Sequence, residues 1–400
     1  MAKQEIPIEQ LKIGMFVTAL DVSWLRTPFF KHAMLIENGA QVQALRDCGA
    51  KVVTIDTEKG AKPVSGGQKP QGVIPSPVSH KPEPTSLRSE LETAKQVKES
   101  TKKVIRSLFA LAKEGGAPKA EMVLPCIDQT IDSLSRNSQA LITLFLSKRP
   151  SSKLHNHAFN TMSMALLVAQ HLEYAVEDQR RLGLAALLMD IGWLKLPEKF
   201  FTFQTAYTDS EFAMIKEHVE YSLRLLEKGD FDPVVFRLIA QHHERYDGSG
   251  YPAGLSGEQI HPMGRILSLV DHFDSATNGY YDAQPIIPAR ALQEIYKKSL
   301  LSSHETSLVK VLIRLVGVYP PSSAVLLNTG ERGVVTQVNW RAPLAPRVKI
   351  FYNKSLMPLL HPFEVDLAKQ GAESTVREIR SVIDPTLPGE DPARRLLNEE

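Results

Sequence analysis

His157, His218, His242 and His243, together with Asp190 and Asp271, carry the strongest chemical signal in the chain. His157 shares a helix phase with Thr161, Met164, Ala165 and Val168, so it points toward an apolar interior. His218 lies in phase with Ile215, Val219 and Ser222 and points inward in the same way. His242 and His243 close a stretch that begins at Pro233. Neighbours on a helix project about 100° apart, so a helix end and the loop after it let both reach one centre. Asp190 ends the apolar run LAALLM, Asp271 follows Leu267 by four residues, and Asp274 comes one turn later. Any one inward histidine is most often a satisfied core residue. A buried carboxylate without a partner costs on the order of several kcal/mol, which makes the group harder to dismiss. Imidazole with carboxylate is a donor set that iron and manganese accept.

Helices must position these groups, and the punctuation for them is present. Thr208 and Glu211 have the spacing of a capping box. Pro233 and Pro262 each follow a residue suited to start a helix. The spacing predicts helices from about 150 to 317, preceded by two helical stretches between 90 and 147. One amphipathic face on those two serves equally for packing on the core or for a homodimer contact. Residues 5–57 mix short β-like runs, MFVTAL and KVVTID, with a short helix ended by Gly49, which predicts a small α+β module. Residues 58–90 are rich in Pro, Gly, Ser and Lys and read as a linker. Residues 319–368 return to β character, with Thr329-Gly330 as a hairpin turn, and 369–400 read as a flexible charged tail.

The segment HHERYDGSGYPAGL, residues 242–255, is long and specific. Its glycines permit tight turns, and Tyr251-Pro252 stiffens a loop beside the candidate ligands. This string, with GRILSLVDHFDSAT further on, resembles the HD-GYP family of HD-superfamily phosphohydrolases, from about His157 to Asp282. Residues 5–60 resemble the small domain that often precedes such domains in bacteria. The resemblance implies a multidomain chain with an all-α HD-GYP domain at 148–318, flanked by the α+β module and a β appendage. It implies a centre of divalent iron or manganese and hydrolysis of cyclic di-GMP to pGpG or GMP. Carried over by position, His157, Asp190, His218, His242, His243 and Asp271 are the metal ligands, with Asp190 shared between ions and central to catalysis. Tyr251 and Asp274 fall on the substrate side, as do Trp193 and Tyr280.

The chain departs from that pattern. Met189 stands where the family's His-Asp pair has its histidine, and a thioether is a poor ligand for iron or manganese. Lys153 stands where members with three ions carry an acidic residue. Trp193 replaces a phosphate-binding lysine, and Tyr280 replaces an arginine. Losing two charge-assisted bonds costs roughly 3–6 kcal/mol. Stacking of Trp or Tyr on guanine returns about 1–3 kcal/mol per base, although plain packing explains both residues as well. With one ion position complete and the other lacking a ligand, one or two ions are expected. Three readings follow: a signalling protein that binds cyclic di-GMP or docks a partner, such as a diguanylate cyclase domain, through Gly250-Tyr251-Pro252, with impaired hydrolysis; an active cyclic di-GMP phosphodiesterase; or a phosphohydrolase for another nucleotide.

The totals narrow the remainder. A net charge of +2 over 400 residues gives no basis for nucleic-acid binding. Two cysteines, Cys48 and Cys126, form no disulfide framework. The start MAKQEIPIEQ has no apolar leader, and no apolar run nears the roughly 20 residues of a membrane span. A cytoplasmic location without direct membrane insertion is expected.

Overall fold

The computed structural model describes residues 3–20, 34–36, 39–47, 51–57, 59–60, 85–146, 153–201, 207–279, 285–339, 341–371 and 376–383. Cys48, Gly49, Tyr280 and most of the linker lie outside them. The chain divides into two compact units, Met1–Ser79 and His80–Glu400. In the first, β1 (Lys3–Pro7), β2 (Phe16–Leu20), β3 (Met34–Leu35) and β4 (Val52–Asp56) form an antiparallel sheet in the order β1-β4-β2-β3, with the helix α1 (Gly39–Asp47). Alternation buries Val17, Val53 and Ile55 together with Ile36 and Leu45.

The second unit is mostly helical, as expected. Its helices are α2 (Leu87–Lys113), α3 (Leu124–Leu146), α4 (Leu154–His171), α5 (Val176–Leu188), α6 (Asp209–Lys216), α7 (His218–Leu226), α8 (Pro233–Gln241), α9 (Pro262–Asn278), α10 (Pro288–Ser299) and α11 (Thr306–Val316). α4 packs against α3, α5 and α9 and is buried without a break from His157 to Ala169. A helix enclosed on every face is a central post, and its ligand-type residue is therefore placed deep in the bundle. The Thr208–Glu211 capping box forms, and Pro233 and Pro262 occupy first helical turns. Among the described residues no helix is long and apolar enough to cross a membrane.

The pairing of α2 with α3 is fixed by Glu90. Its buried carboxylate accepts two bonds from the Arg136 guanidinium, at 2.7 and 2.9 Å, and one each from Ser133 and Thr85. Burial alone pushes this carboxyl up, but Arg136, Ser133 and Thr85 outweigh it and hold it below its usual 4.5. A depressed value means stability that is complete above the ordinary value and lost as pH falls through the lowered one. Glu90→Ala is expected to cost about 3 kcal/mol, the low end for a broken buried pair because Arg136 retains some solvent. Urea denaturation at pH 7 checks the loss, and the gap to wild type should narrow in acid.

The unit ends in an antiparallel sheet of β5 (Ala324–Leu327), β6 (Arg332–Gln337), β7 (Arg347–Tyr352), β8 (Pro358–Asp366) and β9 (Ile379–Val382), in the order β8-β7-β6-β5-β9. β9 corrects the expectation of a tail flexible from 369 onward. It pairs with β5, and the bidentate Arg377–Glu331 contact at 2.6 and 3.0 Å secures its approach. A four-residue strand in charged sequence offers little period to read.

Candidate metal centre

The six candidate ligands arrive on five separate supports. His157 comes from the first turns of α4, Asp190 from the residues just past α5, and His218 from the start of α7. His242 and His243 lie at the end of α8, and Asp271 in the middle of α9. All six are at least 96% buried. They form two groups that share Asp190: Asp190 with His218, His242 and His243, and Asp190 with His157 and Asp271.

Hydrogen bonding fixes which nitrogens face inward. His218 Nδ1 lies 2.6 Å from the Ile215 carbonyl, and His242 Nδ1 lies 2.6 Å from that of Ile239. A carbonyl only accepts, so these Nδ1 atoms carry the protons and each Nε2 presents a lone pair. The two Nε2 atoms are 3.3 Å apart, and His243 Nε2 is 3.2 Å from that of His218. His243 Nδ1 faces Asp271 Oδ2 at 3.3 Å, which leaves its Nε2 as a lone pair as well. Asp190 Oδ1 joins them at 3.3 Å from His218 and 3.7 Å from His242. Acceptors gathered this closely repel one another unless a cation lies among them, so the donor set fits a divalent ion.

The second group gathers around His157. His157 Nδ1 is 2.6 Å from Asp274 Oδ2, which directs Nε2 toward Asp190 Oδ2 at 3.0 Å and Asp271 Oδ1 at 3.2 Å. Burial opposes the charged form of His157, yet Asp190, Asp271 and Asp274 outweigh it and hold the imidazole well above its ordinary range. Burial would also raise Asp190, but its contacts with His157, His218 and His242 hold it well below the usual carboxylate range. His243 is pushed down to about 3 by burial and by the neighbouring His242.

The loop between Met189 and Gly192 is pinned from α7. Ser222 Oγ donates to the Met189 carbonyl at 2.6 Å and accepts from Gly192 N at 2.8 Å. Any side chain at Gly192 would overlap the His218 carbonyl. Met189 is fully buried directly before Asp190.

The substrate-side residues separate. The Tyr251 ring stacks on His243, centroids 4.6 Å apart, at the edge of the centre. Asp274 does not face a substrate surface. It is fully buried behind His157, where Asn160 and Asn278 also donate to its Oδ1 at 2.9 and 2.8 Å. Trp193 is buried in an apolar cluster with Leu196, Phe200 and Ile215, its ring 5.4 Å from that of His218. That is the packing role weighed above, not an open stacking platform. Tyr280 lies outside the described residues.

Sequence reasoning missed Glu244. Its buried carboxylate accepts from Ala253 N at 2.8 Å and Leu255 N at 2.9 Å, tying the Gly-Tyr-Pro loop to the residue after the paired histidines. Gly250 allows the loop to lie on that segment, since a Cβ there would overlap the Arg245 backbone. The adjacency of Glu244 to His242 and His243 was the available signal.

A histidine and aspartate cage inside a helical bundle defines an HD-type metal-binding domain. A family model described as HD domain matches residues 131–302. A domain of unknown function, DUF3391, matches 3–123, and a KOW domain associated with HD domain matches 324–380. The first of these flanking matches extends through α2, beyond the small α+β module. Over 375 residues the chain is 31% identical to "Cyclic di-GMP phosphodiesterase PA4108" of Pseudomonas aeruginosa, covering 92% of this chain and 90% of that protein. Over 130 residues it is 35% identical to "3'3'-cGAMP-specific phosphodiesterase 3" of Vibrio cholerae, covering 32% of this chain and 28% of that protein. The solved structure of Bd1817 from Bdellovibrio bacteriovorus, described as an HDG"Y"P protein, aligns at TM-score 0.47 and 15% identity, covering 78% of this chain and 98% of that one. The chain belongs to the HD-GYP family.

Proposed function

We propose that this chain is a cyclic di-GMP signalling protein that holds the nucleotide at a divalent-metal centre and hydrolyses it with strongly impaired efficiency. The observation that carries this reading is the inequality of the two ligand groups around Asp190. One has three imidazoles and a carboxylate, whereas the other has one imidazole and two carboxylates. The side chain placed where the family has the missing histidine is the neutral thioether of Met189, fully buried. Iron or manganese suits both donor sets, with the three-histidine group binding more firmly. An ion bound there supplies Lewis acidity toward water and the phosphoryl group. The chain's own residues set the frame: Asp274 orients His157, Asp271 touches both His157 and His243, and Glu244 fixes the loop that presents Tyr251. The relative named as a cyclic di-GMP phosphodiesterase, similar over nearly the whole chain, supports the choice of nucleotide.

Protein purified without chelators should keep about one iron or manganese ion per chain after dialysis. It should bind cyclic di-GMP in calorimetry and release pGpG slowly when manganese is added. Two tightly held ions with rapid turnover would overturn the impairment. The likeness to a 3'3'-cGAMP-specific relative favours one second reading, a preference for that mixed dinucleotide. Competition between the two nucleotides for the same protein decides it.

A further inference from the structure

We propose that Lys216 is a phosphate-binding residue of this site, its ammonium held over two aromatic rings to receive the phosphate of a cyclic dinucleotide that the metal centre does not engage. The proposal rests on reading the site as one for a cyclic dinucleotide. Lys216 is the last residue of α6 and is exposed. Its Nζ lies 4.9 Å from the Phe212 ring centre and 5.1 Å from that of Tyr251. Phe212 also meets Tyr251 edge-on, so the three side chains form one group. The Tyr251 centroid is 4.6 Å from that of His243, and 4.6 with 5.1 Å places Nζ at most 9.7 Å from the His243 ring. A charge is thereby poised one aromatic layer outside the ligand cage, between the buried centre and solvent.

The surroundings leave that charge available. Among the described residues no carboxylate pairs with Lys216, because Glu211 bonds Lys199 at 2.6 Å and Glu217 accepts from Tyr221 at 2.5 Å. Arg245, the other cation acting on Tyr251, is tied to the Ser268 hydroxyl and the Glu244 carbonyl. An ammonium over aromatic faces is restrained without being neutralised, which lowers the ordering cost of a later contact. Lysine serves phosphate as a point charge and needs no planar partner. Trp193, at the place where the resemblance expects a lysine, is packed into the core. Lys216 returns a positive charge to the site from a different element.

The experiment is calorimetric titration of cyclic di-GMP into the manganese-loaded full chain. Wild type, Lys216→Gln and Lys216→Arg are compared at low and high salt, with metal content and melting temperature measured on each. Lys216→Gln should bind about tenfold more weakly, and its affinity should vary less with salt. Lys216→Arg should stay within about threefold of wild type, since it keeps the charge. Metal content and melting should be the same in all three, because an exposed side chain outside the cage is replaced. Unchanged affinity in Lys216→Gln, or a loss that Lys216→Arg does not restore, overturns the role of Lys216 alone. A drop in metal content overturns it too, by showing that the effect passes through His243. Wild type that binds no cyclic dinucleotide overturns the functional reading and this proposal with it.

Discussion

Asp190→Asn is expected to abolish tight metal binding at both ligand groups while leaving the fold in place. Asp190 is the residue the two groups share, and its two oxygens divide between them: Oδ1 toward His218 and His242, Oδ2 toward His157. The amide keeps the shape but replaces one oxygen with an N–H donor and removes the negative charge. One group is left facing a donor, and the other faces a neutral oxygen. An ion that binds only the folded chain stabilises it by about 2.7 kcal/mol at a hundredfold excess over its dissociation constant. For the unit His80–Glu400 that is a rise in melting temperature of about 4 °C. Wild type should show this rise when manganese is added, and Asp190→Asn should show none. Without metal the two proteins should melt close together, because the amide can still bond the histidines around it. A manganese shift that survives in Asp190→Asn would mean that the ions, if bound, do not depend on the shared carboxylate.

The clustered histidines and aspartates were legible in the sequence because most sit on helices whose apolar period is strong. His157 occupies α4, which is buried on every side, and Asp271 lies at the same kind of depth in α9. A side chain in phase with such a run has nowhere to point but inward. The roles of Asp274 and Trp193 were less legible. Asp271 and Asp274 are three apart on one helix, and only the position of α4 decides that the first faces the cage and the second lies behind His157. Trp193 falls in the short 3-10 turn Ile191–Lys195, where the α-helical period no longer assigns a side. Glu244 was passed over because its partners, Ala253 and Leu255, contribute backbone N–H groups, which no side-chain pattern announces. The charged segment that supplies β9 failed for a related reason: its pairing with β5 is set by long-range register, not by local period.

Met189→His should raise both the number of ions held and the rate of hydrolysis. The position suits the change. Met189 directly precedes Asp190 at the end of α5, its N–H bonds the Ala185 carbonyl at 2.9 Å, and its own carbonyl is held by Ser222. The backbone is thus fixed by contacts that no side-chain substitution removes. Groups that merely orient a ligand are worth about 10–100-fold in metal affinity, so a restored direct ligand should contribute at least about a hundredfold at the weaker group. Metal analysis after dialysis should rise from about one ion toward two per chain, and pGpG release should accelerate by at least about a hundredfold. Met189→Leu is the necessary companion. It preserves volume and apolar character, at a cost under about 1.5 kcal/mol, and removes only the sulfur. If Met189→Leu matches wild type in metal content and rate while Met189→His exceeds both, the thioether is a filler and the missing imidazole limits the chemistry. If Met189→Leu loses an ion, the sulfur was itself a ligand and the centre is complete in an unusual form. If Met189→His gains an ion but no rate, the limit lies on the substrate side, where Trp193 is buried in the apolar cluster and Lys216 lies over the Tyr251 ring.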